Sequence, residues 1–216
     1  MAKTIILLLA LGVLQSATGQ GYPPTSCVPV PNTPSPPVRD YEIAAREQHN
    51  FYRGKHQSPG LALHDLLSAQ ALQCAEYYVN KGSLDSSCPF KNGTGENQYG
   101  AWYIKNQKEP SCTSLANSAT TVWYNGRENY DYRQPGFSVA TGSFTQLVWS
   151  SSQFLGVGCA LKNGFAVVVA LYTPPGNMLS YGNDPNYLFR QNVLPPLRRG
   201  KEESHQHLSS FTYEKP

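Results

Sequence analysis

The sequence predicts an α+β fold in which helices precede a sheet that is covered on both faces. Two β-rich runs, residues 156–161 and 165–172, indicate the sheet, and they are joined through Lys162-Asn163-Gly164. Asn-Gly is the strongest two-residue signal for a β-hairpin. The uninterrupted apolar run Val167-Val168-Val169 is typical of a strand that is buried on both faces. Helices are therefore expected to pack against each side of this hairpin.

Three amphipathic helices are predicted ahead of the hairpin. Residues 39–53 form the first helix, and residues 63–80 form the second. A third helical stripe ends near Gly126. Residues 98–104 fit either a short strand or the start of a helix. The core-facing stripe of the second helix consists of Leu67, Ala71, Cys74 and Tyr78.

The two ends of the chain differ in composition from its middle. Residues 1–19 are predicted to be a signal peptide, because a lysine precedes an apolar run that ends in small residues. That run is shorter than the ~20 residues that span a bilayer, so no transmembrane segment is expected. Residues 20–38 are rich in proline and predict an extended linker. One folded domain is predicted over 39–196, followed by a polar, disordered tail over 197–216.

Charge and composition favour an extracellular protein. The formal net charge is +3, and no stripe of Lys and Arg follows the chain. This distribution excludes nucleic acid as an expected partner. Asn92-Gly93-Thr94 is an N-glycosylation sequon, which predicts a glycoprotein with an exposed loop at Asn92. Together with the signal peptide, the sequon predicts secretion.

The chain has five cysteines, and a secreted protein is expected to pair them in disulfides. The odd number leaves one thiol over, and two pairs can be drawn in about fifteen ways. Cys88 with Cys112 is the favoured pair, because both are predicted to lie in loops that flank residues 95–97. Cys27 lies in the proline-rich segment and is a candidate for a disulfide-linked dimer.

Several motifs resemble those of the CAP superfamily, which contains cysteine-rich secretory proteins, antigen 5 and plant pathogenesis-related proteins. Seven of the eight positions in residues 142–149 fit the signature of that family. The resemblance implies a three-layer α-β-α sandwich with a small, mainly antiparallel central sheet and a cleft. The ending of the domain resembles the Golgi-associated plant pathogenesis-related subgroup. The other matching segments are residues 49–53, 95–97, 123–124, 134–137, 172–177 and 192–196.

In many members of this family two His and two Glu residues line the cleft and can hold a divalent metal. Glu96 matches one of these positions. The second Glu falls at Gly126, the signature His falls at Ser143, and the other His falls in a histidine-free stretch around Asp85. The resemblance therefore implies that the usual metal is lost, and neither a metal nor another cofactor is expected.

The predicted function is that of a secreted, non-enzymatic binding protein. What is known of the family implies a lipid, a sterol or an extracellular protein as partner, in defence or cell recognition. The alternative is a degenerate hydrolase, or a metal-dependent protein, that uses the cleft around Glu96. We disfavour the hydrolase because Ser143 needs an adjacent base to become a nucleophile, and no catalytic residue is assigned.

Overall fold

The computed structural model describes residues 37–104, 108–180 and 182–197. The helices are α1 Asp40–Lys55, α2 Asp65–Lys81, α3 Cys112–Asn125, α4 Gly142–Leu147 and α5 Tyr187–Asn192. The strands are β1 Ala62–Leu63, β2 Gly95–Trp102, β3 Phe154–Lys162 and β4 Phe165–Thr173. A 3-10 helix, Gly126–Asn129, follows α3 directly. The three predicted helices and the hairpin are thus confirmed, and residues 98–104 belong largely to a strand.

The four strands form one sheet in the order β1-β3-β4-β2. β1 runs parallel to β3, whereas β2 and β3 both pair with β4 in antiparallel fashion. Asn163 and Gly164 connect β3 to β4, and both have positive φ angles. Such angles are those of the hairpin turn that Asn-Gly predicts. The sheet is therefore mainly antiparallel, as expected.

Helices cover both faces of this sheet, and β4 contributes side chains to both cores. Val168, Ala170 and Tyr172 belong to the core that contains residues of α1, α3 and α4. Val167, Val169 and Leu171 belong to the core that α2 covers. Successive side chains of a strand point to opposite faces, so an apolar run of this kind fills two layers at once. The domain is a three-layer α-β-α sandwich.

Two glycines of β3 allow α2 to lie close against the sheet. A Cβ atom at Gly156 would lie 2.1 Å from the Leu67 carbonyl carbon, and one at Gly158 would lie 2.2 Å from that of Ala71. These distances are far below any contact that backbone atoms tolerate, so only glycine fits. This close approach fixes the position of α2 and of the loop that follows it.

The disulfides differ from the predicted pair, and the pairing of Cys88 with Cys112 was wrong. Cys74 of α2 bonds to Cys88, and Cys112 of α3 bonds to Cys159 of β3. Cys88 belongs to the core under α2, whereas Cys112 packs against the core on the opposite face. The sheet therefore separates the two residues, although both flank β2 in sequence.

The predicted signal peptide and almost all of the proline-rich linker lie outside the described residues, as do Cys27 and the tail from residue 198 onward. These assignments, and the dimer through Cys27, stay predictions. In the ranges that the structure does describe, no helix is long and apolar enough to cross a bilayer.

Candidate functional site

The four positions that correspond to the family cleft lie on different elements. Glu96 is the second residue of β2, and Asp85 lies in the loop between α2 and β2. Gly126 follows the last residue of α3, and Ser143 is on α4. The Ser143 carbonyl accepts a hydrogen bond of 2.9 Å from the side chain of Asn97, the residue that follows Glu96. This bond fixes the first turn of α4 beside the start of β2.

Both carboxylate oxygens of Glu96 are already engaged by side chains of this protein. The Lys91 ammonium donates to Oε2 at 2.9 Å, and the Tyr78 hydroxyl donates to Oε1 at 3.0 Å. The Glu96 side chain is only 5% exposed, and that of Lys91 is 28% exposed. Charge-assisted bonds of this kind are stronger than bonds between neutral groups. Glu96 therefore acts here as the centre of an internal cross-link.

Tyr78 connects Glu96 to the surrounding loop. Its hydroxyl accepts hydrogen bonds of 3.0 Å from the Cys88 amide and from the Gln98 side chain. Burial is the main cause that raises the pKa of Tyr78. The hydroxyl therefore stays protonated and can donate to Glu96. The sequence pattern puts Tyr78 in an apolar stripe and does not predict this role, although a buried tyrosine hydroxyl usually finds a hydrogen-bond partner.

Lys91 reaches Glu96 because the chain reverses direction between them. Asn92 and Gly93 have φ angles of 43° and 73°, and the Thr94 amide donates to the Lys91 carbonyl at 2.9 Å. Asn and Gly are the residues that most readily adopt such left-handed angles. Asn92 is exposed at the tip of this turn, as an attachment site for a glycan requires.

Asp85 points to a different lysine at the surface. It forms a close ion pair with Lys81, and the Ser87 hydroxyl donates to it at 2.6 Å. The pKa of Asp85 is lowered to about 2. The hydrogen bond from Lys81 is the main cause, and the hydrogen bond from the Ser87 hydroxyl is the second. Both side chains are more than a third exposed, so solvent screens the pair.

Gly126 and Ser143 offer no charged ligand. A Cβ atom at Gly126 would lie 3.1 Å from both the Ala140 carbonyl and the Phe144 Cβ, so the local packing is matched to glycine. Ser143 is half-buried. Its hydroxyl has no hydrogen bond to a histidine or carboxylate in the described part of the chain.

These residues do not fit the divalent metal that the family cleft implies. Zinc favours three or four close N, O or S ligands. Of the four positions, only Glu96 supplies a carboxylate that is not exposed. That carboxylate is already paired with the ammonium of Lys91, and this positive charge would repel a second cation. Across the ranges that the structure describes, no three His, Cys, Asp or Glu side chains are grouped to hold a metal ion.

A buried polar chain links Asn97 to α1. The Asn97 side chain donates to the Tyr172 hydroxyl at 3.1 Å, and that hydroxyl lies 2.8 Å from His49 Nε2. His49 Nδ1 lies 2.7 Å from the Ala45 carbonyl, which can only accept, so Nδ1 carries the proton. Nε2 then accepts from Tyr172. Burial lowers the pKa of His49 to about 4, and the residue is a neutral core histidine.

Arg53, which belongs to the matching segment 49–53, holds the helix α4 of the signature segment 142–149. The Arg53 guanidinium is buried and donates to the carbonyls of Leu147 and Trp149, each at 2.9 Å. It also donates to Ser152 and Pro59, at 3.0 and 2.7 Å. Burial lowers its pKa to about 10. Arg53 therefore fixes the end of α4, and with it the position of Ser143.

A separate groove runs between α1 and β1. Its volume is about 890 Å³, which is within the range of roughly 300–1,000 Å³ typical of ligand pockets. Phe51, which is 63% exposed, is one of the lining residues. Polar side chains are confined to a few positions, chiefly Arg46, Glu47, Asn50 and Asp65. The apolar lining residues are Val38, Ile43, Phe51, Leu61, Ala62 and Leu63.

Comparison with known proteins shows the family. Residues 46–172 match the CAP family, described as the Cysteine-rich secretory protein family. The chain is 37% identical over 152 residues to human Golgi-associated plant pathogenesis-related protein 1, and the match covers 69% of this chain and 90% of that protein. It is 30% identical over 165 residues to Protein PRY2 of Saccharomyces cerevisiae, and there it spans 72% of this chain but only 42% of the relative.

Solved structures agree with the fold. The structure of NaASP2 with Zn²⁺ superposes with a TM-score of 0.55 at 20% identity, over 71% of this chain and 88% of that one. Hookworm Platelet Inhibitor superposes with a TM-score of 0.50 at 18% identity, over 72% and 79%. The chain is a member of the CAP family, which confirms the prediction from residues 142–149.

Proposed function

We propose that this protein is a secreted, non-enzymatic CAP-domain protein that binds an apolar ligand, a sterol or a lipid acyl chain, in the groove between α1 and β1. The groove carries the proposal, because its lining is mostly apolar and its volume of about 890 Å³ suits such a ligand. The predicted signal peptide and the sequon at Asn92 support an extracellular role in defence or cell recognition.

The energetics of the groove favour an apolar ligand. Covering ~300 Å² of apolar surface is worth roughly 7 kcal/mol before the costs of ordering. Leu61 forms the buried floor, and Ile43 and Leu63 are half-buried beside it. Arg46 at the rim can bond the hydroxyl or carboxylate that such ligands carry at one end. A small polar ligand would leave most of this lining without favourable contacts.

Binding to the groove can be measured with fluorescent sterol and radiolabelled palmitate. We expect Ile43→Asp to weaken binding by about tenfold or more, because it places a carboxylate in the apolar lining. Leu66→Ala is the matched control, since Leu66 is 71% exposed and does not line the groove. If neither ligand binds the wild-type protein, or if both variants bind equally well, the groove is not the ligand site.

The alternative is a hydrolase that uses Ser143 and Glu96. We disfavour it because Lys91 and Tyr78 occupy both oxygens of Glu96, and a carboxylate so engaged is a poor base. His49 is committed to Ala45 and Tyr172. Hydrolysis of a broad peptide library by the wild-type protein, absent in Ser143→Ala, would establish the hydrolase instead.

A further inference from the structure

We propose that the ammonium of Lys91 occupies an internal cation site, in which a charge tethered to the chain itself neutralises the buried Glu96 carboxylate. The site consists of the Glu96 carboxylate, 2.9 Å from Lys91 Nζ, and the Ser86 carbonyl, 2.6 Å from it. Both groups are oxygen acceptors that suit any cation. The inference concerns the cleft around Glu96 and is independent of the ligand in the groove.

Burial distinguishes this site from an ordinary surface ion pair. The Glu96 side chain is 5% exposed, whereas Asp85, in the neighbouring pair with Lys81, is 42% exposed. A carboxylate out of water needs a positive partner, because its own hydration has been lost. Lys91 supplies that partner for Glu96. Lys81 contributes less to Asp85, because water already solvates the Asp85 carboxylate.

The cation also joins two segments of the chain. Lys91 bonds through its side chain to Ser86 at the start of the loop and to Glu96 in β2. The loop is further held by the bond from the Cys88 amide to Tyr78, whose hydroxyl donates to Glu96. Removal of the ammonium therefore leaves the loop attached at Cys88 but leaves Glu96 and the Ser86 carbonyl without their shared donor.

The test is chemical rescue of Lys91→Ala in the full-length protein. The variant lacks three carbons and the ammonium, which n-propylammonium replaces atom for atom, whereas n-propanol replaces the same shape without the charge. We expect the melting temperature of Lys91→Ala to fall by roughly 5–10 °C relative to wild type. About 50 mM n-propylammonium should recover part of this loss by binding the folded state. The same concentrations of n-propanol or sodium chloride should not.

Two further variants make the outcome decisive. Lys81→Ala removes the exposed lysine of the same loop region, and we expect little change in melting temperature and no effect of n-propylammonium. In Lys91→Ala with Glu96→Gln the buried charge is gone, so this double variant should be more stable than Lys91→Ala and insensitive to n-propylammonium.

Three results would overturn the proposal. Lys91→Ala could melt at the wild-type temperature, or n-propanol could rescue it as well as n-propylammonium does, which would indicate packing instead of charge. The double variant could also be no more stable than Lys91→Ala, which would show that Glu96 does not need a cation.

Discussion

The cleft around Glu96 and the groove between α1 and β1 use their residues in opposite ways. Around Glu96, charged and polar side chains bond to one another, as in the contacts of Lys91 and Tyr78 with the carboxylate. Along the groove, apolar side chains such as Phe51 and Leu63 are left partly exposed. Bonded polar groups stabilise the fold, whereas exposed apolar surface is available to a ligand.

This difference teaches that a residue within a family motif can have a structural role. Glu96 matches the family, yet its partners are a lysine and a tyrosine of the same chain. The groove, in contrast, contains none of the four positions of the family cleft. A hydrogen-bonded route runs from Asn97, next to Glu96 in the chain, through Tyr172 to His49 on α1.

Acidification should lower the stability strongly, because it acts on that route. The pKa of His49 is lowered from 6.5 to about 4 in the folded protein, so the unfolded chain binds the proton first as the pH falls. Stability from this group is complete above pH 6.5 and is lost between about pH 6.5 and 4. The full loss is roughly 3 kcal/mol, from about 1.4 kcal/mol per pH unit.

Denaturant unfolding of the wild-type protein and His49→Gln at several pH values measures this loss. The free energy of unfolding should fall more steeply with acid in the wild-type protein, so that the difference between the two proteins changes by roughly 3 kcal/mol between about pH 6.5 and 4. His56 also has a lowered pKa through burial and contributes to the slope of both proteins. Parallel curves for the two proteins would show that His49 does not cause the loss.

Removal of the Cys74–Cys88 disulfide should act on the Glu96 region alone. The bond closes a separation of 14 residues, so its loss in Cys74→Ser with Cys88→Ser should cost about 3 kcal/mol of unfolding free energy. Hydrogen exchange should increase in the loop before β2, while affinity for a ligand in the groove stays unchanged. Loss of Cys112–Cys159, which spans 47 residues, should cost about 1 kcal/mol more.

The smallest effect on stability is expected in the groove. Phe51 is 63% exposed, so Phe51→Ala should change the free energy of unfolding by less than about 0.5 kcal/mol. The same variant should weaken binding of sterol or palmitate, because the aromatic side chain lines the groove. A large loss of stability without a loss of binding would make Phe51 a structural residue and would remove the contrast between the two regions.

The sequence by itself determined the features that repeat over short distances along the chain. The stripe that includes Leu67, Ala71 and Tyr78 fixed α2, and Asn163-Gly164 fixed the hairpin, since each pattern reflects local backbone geometry. The motif at residues 142–149 identified the family. The absence of a histidine or carboxylate at Gly126 and Ser143 can also be read from the sequence alone, because residue identity needs no structure.

Only the tertiary structure decided which side chains meet. Cys88 and Cys112 flank the same strand in sequence, yet the sheet lies between them, and each bonds to a cysteine that faces the core on its own side of the sheet. The contact between Lys91 and Glu96 is not predicted by the sequence. It forms because a turn at Asn92 and Gly93 brings the lysine to a carboxylate that is buried away from water. Contacts of this kind depend on the path of the backbone in three dimensions, which the local spacing of residues does not specify.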